Sequence, residues 1–118
     1  MTLPKYTIFH NPKCSKSRQT LEILKNNGIT PEIILYLDNP LSVSEINAIL
    51  MKLKFQVSDL LRKGESIYKE KIKPFELTDQ DVLNLMVKHP KLIERPIVVS
   101  GKRAVLGRPP ENVLSLIH

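Results

Sequence analysis

"KYTIFHNPKCSKSRQTLEILKNNG", Lys5–Gly28, is the stretch whose reading decides the fold. Tyr6 and Ile8 alternate with Thr7 and Phe9 and the run stops at Asn11-Pro12, which suits a short strand followed by a turn. Beyond the cysteine, Leu21, Leu24 and Lys25 keep a helical rhythm, and Asn26-Asn27-Gly28 supplies a helix stop. Cys14, the one cysteine among 118 residues, therefore falls where a strand hands over to a helix.

Working outward, "PEIILYL", Pro31–Leu37, is a nearly continuous apolar run and reads as a strand buried on both faces. "NPLSVSEINAILMKL" then offers Ser42 as a helix cap, Glu45 three residues later, and Ile46, Ile49, Leu50 and Leu53 at helical spacing. "VSDLLRKG" reads as a short helical turn closed by Gly64. In "ELTDQDVLNLMVKHP", Thr78 caps a helix whose apolar face is Val82, Leu83, Leu85 and Met86. Residues from about 42 to 89 thus form a helical block. "RPIVVSGKRAVLGRPP" pairs Ile97–Val99 with Ala104–Leu106 through a Ser-Gly-Lys turn, an antiparallel hairpin. "PENVLSLI" closes as a helix with proline at its start, where a missing N–H costs nothing.

The order is strand, helix, strand, helical block, strand, strand, helix. A strand-helix-strand unit followed by a hairpin and a helix predicts an α/β, thioredoxin-like plan: a mixed four-stranded sheet with a helical insertion after its second strand. The length predicts a single domain over 1–118.

Hydrophobic residues make up 42% and charged residues 25%, an ordinary globular balance. No apolar run approaches the roughly 18 residues of a membrane span, and the start lacks a secretory pattern, so the expectation is a cytoplasmic protein without membrane contact. A lone cysteine excludes an internal disulfide, in keeping with a reducing compartment. With 18 Lys+Arg against 12 Asp+Glu, net +6, the chain attracts anions. Its lysines are scattered, with no basic run and no aromatic platform, so no nucleic-acid partner is expected.

The surroundings of Cys14 point to chemistry. A helix N-terminus presents unpaired N–H groups and a partial positive charge, which lower the pKa of a thiol placed there. Ser15 and Ser17 add hydroxyls, Lys16 and Arg18 add positive field, and His10 arrives from the end of the strand. Free cysteines are often buried as small hydrophobes, but one flanked by Pro12, Lys13 and Lys16 is a poor core residue. Position 17 is serine, so no Cys-x-x-Cys dithiol exists. What remains is a lone nucleophilic thiolate in an anion-binding loop, and any second thiol must come from outside. One cysteine and three scattered histidines offer no metal set. His89 and His118 read as solvent-exposed helix-end residues without a role.

In order along the chain, "HNPKCSKSRQTLEIL", "ILYLDNP", "LLRK", "ERPIVV" and "GRPPE" resemble the glutaredoxin-coupled arsenate reductase family, from His10 to Glu111. The resemblance implies Cys14 as nucleophile, His10 as the histidine that helps to activate it, and Arg62, Arg95 and Arg108 as arginines that bind the oxyanion. Asn11, Ser15, Lys16, Ser17 and Arg18 would line the same anion site. It also implies a cis bond at Arg95-Pro96, with Pro96 a structural residue facing the cysteine. Ser15 and Lys16 stand where arsenic-resistance members carry Gly-Thr.

The implied activity is reduction of arsenate to arsenite with no bound cofactor, glutathione as co-substrate and glutaredoxin as partner. Guanidinium groups would offset the repulsion between a thiolate and an anionic substrate. Two other readings stay open: a redox-sensing regulator of the same fold that binds RNA polymerase, and a related thiol enzyme acting on another oxyanion.

Overall fold

The computed structural model describes residues 5–117; His118 lies outside them. Among the described residues, four strands and five α-helices follow in the expected order: β1 (Tyr6–Phe9), α1 (Ser15–Asn26), β2 (Glu32–Ile34), α2 (Val43–Leu53), α3 (Ser66–Lys71), α4 (Asp79–Lys88), β3 (Ile97–Ser100), β4 (Arg103–Leu106) and α5 (Leu114–Ile117). Short 3₁₀ turns at Val57–Leu60, Pro90–Leu92 and Pro110–Val113 complete them. The sheet runs β2-β1-β3-β4, with β1 parallel to β2 and antiparallel to β3, and β3 antiparallel to β4. That is the mixed sheet of the thioredoxin-like plan.

The chain divides into two compact units, one taking in residues up to Asn39 and from Arg95 onward, the other Pro40–Glu94. In the first, Ile8 of β1 pairs with Val98 of β3. These two fully buried side chains pack with Leu24, Val113 and Leu116 into an apolar core, flanked by Tyr6, Leu21, Ile29 and Val105. The helix stop is a Schellman closure: Gly28, at φ +78°, donates to Lys25 O and Ile29 donates to Leu24 O. In the hairpin, Gly101 takes φ +60° in the turn between the paired residues Ser100 and Arg103.

The second unit is helical. Ser42 and Thr78 each close a capping box, Ser42 with Glu45 and Thr78 with Asp81. The predicted faces Ile46, Ile49, Leu50, Leu53 and Val82, Leu83, Met86 are buried. Leu85 is half-buried. An isolated antiparallel bridge joins Leu61 to Ile93, fixed by Arg62 N–H to Leu92 O (2.7 Å) and Glu94 N–H to Leu60 O (2.8 Å).

Two expectations are corrected. The Pro31–Leu37 run is not a strand buried on both faces: β2 keeps only Glu32–Ile34, and Ile33, Leu35 and Leu37 are 45%, 36% and 36% exposed. The reason is topological, since β2 is the sheet's edge and Tyr36, which turns inward, already belongs to a turn. His89 is not a solvent-exposed residue: it is half-buried at the end of α4, and its Nε2 is buried with no hydrogen-bond partner.

Candidate active site

The site begins with how α1 starts. α2 and α4 place carboxylates in their first turns, Glu45 in one and Asp79 and Asp81 in the other, and these compensate the N-terminal pole. α1 has no acidic residue there, and its cap is Cys14, in an extended conformation (φ −97°, ψ 122°). The loop before it is pinned from three sides. His10 N–H continues the β1–β2 ladder to Ile34 O (2.8 Å), Cys14 N–H donates to Asn11 O (3.0 Å), and Lys13 N–H donates to the Asn11 side-chain oxygen (3.0 Å). Arg18 spans the loop from outside, its Nη1 donating to Pro12 O at 2.8 Å.

Cys14 is buried, yet its setting is not that of a small hydrophobe. Burial pushes the thiol pKa up, but the backbone N–H of Ser17, the charge and hydrogen bond of the Arg95 guanidinium, and the backbone N–H of Lys16 together bring it below its ordinary value of 9.0. The neutral thiol closes no capping bond; these donors favour the anion. Arg95 precedes a cis bond to the buried Pro96, as the resemblance implies, and its Nε and Nη1 are buried without hydrogen-bond partners. Unsatisfied guanidinium N–H groups beside a thiol are costly unless an anion completes them.

His10 is also buried, and its Nδ1 lies 2.5 Å from Ser17 Oγ. Asn11 N–H donates to that same oxygen (3.1 Å), so the Ser17 hydroxyl ties the histidine ring to the backbone of the loop. Burial first, then the charges of Arg18 and Lys25, hold the His10 pKa below 6.5, so the ring is neutral near pH 7. Ser17 thus serves twice: its hydroxyl orients His10 and its N–H faces the sulfur.

The remaining predicted residues fall as follows. Ser15 is exposed at the first position of α1, and the side chains of Lys16 and Arg18 are exposed on the same turn. Arg108, after β4, donates from Nη1 to Arg95 O (3.4 Å) and precedes a second cis bond, to Pro109, which no sequence signal announced. Arg62 lies in the helical unit, where Glu65 (3.6 Å) and Glu94 (3.8 Å) flank its guanidinium. The structure therefore gathers Cys14, Ser17, Lys16 and Arg95 at one point, with His10 tied to Ser17 and Arg108 to Arg95. Among the described residues no group of three or more His, Cys, Asp or Glu could hold a metal. No described helix is long and apolar enough to cross a membrane.

A model of the ArsC family matches residues 9–116. An arsenate reductase from Haemophilus influenzae is 43% identical over 112 residues, covering 93% of this chain and 97% of that protein. An uncharacterised Escherichia coli K12 protein, YfgD, is 44% identical, covering 93% and 94%. Among solved structures, an arsenate reductase from Vibrio cholerae superposes with a TM-score of 0.93 at 45% identity, over 97% of this chain and 98% of that one.

Proposed function

The chain belongs to the ArsC family, and from that premise we propose that it is an arsenate reductase whose nucleophile is Cys14 and whose reducing thiols are glutathione and glutaredoxin. The observation that carries this reading is the Arg95 guanidinium, with buried, unpartnered Nε and Nη1, beside a thiol held below its ordinary pKa. Such a group favours the attacking thiolate and still has donors for the oxygens of an anionic substrate.

The Cys14 thiolate attacks arsenic and an oxygen of arsenate leaves as water, taking up protons from the medium, to give a Cys-S-As(V) adduct. Glutathione displaces a second oxygen in the same way, forming a Cys-S-As-S-glutathione species. A glutaredoxin thiolate then attacks the glutathione sulfur. The As–S electron pair stays on arsenic, reducing As(V) to As(III), and the two thiols leave joined as a mixed disulfide. Water cleaves the remaining As–S bond, releasing arsenite and restoring Cys14. The external donors are needed because this chain has a single cysteine and a serine where a Cys-x-x-Cys loop would place its second thiol. A reducing cytoplasm is the compartment that supplies them. Arg108 is assigned a further contact with the oxyanion, and His10 the support of the thiolate through Ser17.

The test is arsenite production from arsenate with glutathione and glutaredoxin, run beside Cys14→Ser and beside a thioredoxin-driven reaction. Turnover that needs both glutathione and glutaredoxin and disappears in Cys14→Ser is expected. Activity in Cys14→Ser would overturn the nucleophile. Equal turnover with thioredoxin alone would overturn the coupling and leave the arsenate chemistry standing.

A further inference from the structure

Gly107, buried between β4 and Arg108, has no positive φ to explain it. Its requirement is space. A Cβ built there would lie 2.5 Å from Thr20 Oγ1, 2.9 Å from Pro96 Cγ and 3.1 Å from Thr20 Cγ2. Neither neighbour can withdraw cheaply. Thr20 and Pro96 are both among the fully buried side chains. Pro96 is a ring fused to the backbone, and Thr20 is β-branched, with Oγ1 committed to Lys16 O at 2.8 Å. The contact is sealed by Gly107 N–H to Pro96 O (2.8 Å), and Thr20 Oγ1, whose one hydrogen goes to Lys16 O, lies 3.5 Å from Gly107 O.

Three segments meet at this point, and each carries part of the site within four residues. Thr20 lies one helical turn beyond Lys16, whose N–H faces Cys14. Pro96 follows Arg95. Gly107 precedes Arg108, which in turn bonds Arg95 O. We propose that Gly107 is a positioning residue: its missing side chain lets the end of β4 close on Thr20 and Pro96, and that contact holds the Arg95 guanidinium against Cys14. A methyl group at 107 would wedge the Arg95-Pro96 segment away from α1 and draw the guanidinium off the sulfur. This rests on Cys14 as the nucleophile, but it concerns the thiol's setting and can be measured without arsenate.

The experiment is the pH dependence of Cys14 alkylation by iodoacetamide in four proteins: wild type, Gly107→Ala, Thr20→Ala and the double variant, with circular dichroism to establish folding. Gly107→Ala should remain folded, with its profile displaced to higher pH and alkylation about tenfold slower on the acid limb, where the thiolate is the minor form. Thr20→Ala should stay near wild type. The double variant, which keeps only the Pro96 clash, should fall between Thr20→Ala and Gly107→Ala. A folded Gly107→Ala with the wild-type profile would overturn the proposal. If Gly107→Ala does not fold, the double variant is compared with Thr20→Ala alone: slower alkylation supports the proposal, and equal rates overturn it.

Discussion

Truncating Arg95 to alanine tests the electrostatics of the site most directly. The guanidinium acts on Cys14 through both its charge and a hydrogen bond. A hydrogen bond to a charged group contributes about 1.5–3 kcal/mol, and about 1.4 kcal/mol corresponds to a tenfold change in an equilibrium. Loss of both effects would raise the thiol pKa and move the ionisation equilibrium towards the thiol by about tenfold or more. Two things hold it to the lower figure: the Ser17 and Lys16 N–H groups remain, and the vacated space admits water, which relieves the burial that opposes ionisation. The assay is thiolate absorbance near 240 nm against pH, alongside alkylation rates at pH 6.5, which should drop about tenfold. Turnover of arsenate should fall further, roughly 10²–10³-fold, because the same donors face the charge that develops in the transition state. Arg95→Lys keeps the charge without the planar fork and should lie between. A thiol titration in Arg95→Ala that overlays the wild type would refute the reasoning, whatever the turnover.

Further outcomes concern pH and stability. Because the folded state holds His10 below its ordinary 6.5, the unfolded chain binds the proton first, and stability should decline as pH falls through 6.5 towards the folded value. Urea midpoints at pH 7.5 and 5.0 should therefore separate more in the wild type than in His10→Gln; equal separations would contradict the assignment. Ser42→Ala removes one half of the α2 capping box and should cost about 1 kcal/mol. Thermal melts read this directly, and an unchanged midpoint would dismiss the cap as a contributor.

What the sequence disclosed was what local chemistry controls. Ser42 with Glu45, Thr78 as a cap, the Gly28 stop and the Ser-Gly-Lys turn each depend on neighbours within a few residues, so their signals survive translation into structure. Cys14 at the start of a helix was legible for the same reason. The edge position of β2 was not, because an apolar run carries no statement of how many strands will flank it. α3 escaped notice because "SIYKEK" buries no residue and so shows no apolar period. The Ser17–His10 bond, the Glu65 and Glu94 partners of Arg62 and the tight seat of Gly107 depend on side chains meeting in three dimensions, and spacing does not encode that.

The first unit is discontinuous, and this governs when the thiol becomes reactive. Ile8 and Val98 are sheet partners across 90 positions (98 − 8), and closing a flexible loop of that length costs about 4 kcal/mol before any pairing repays it. During synthesis, β1, α1 and β2 emerge long before Arg95 and the strand that follows it, β3. Until that segment arrives, the nascent chain offers Cys14 only the Ser17 and Lys16 N–H groups of the helix end, and the share that the Arg95 guanidinium adds to the thiolate comes last, with the closing of the sheet.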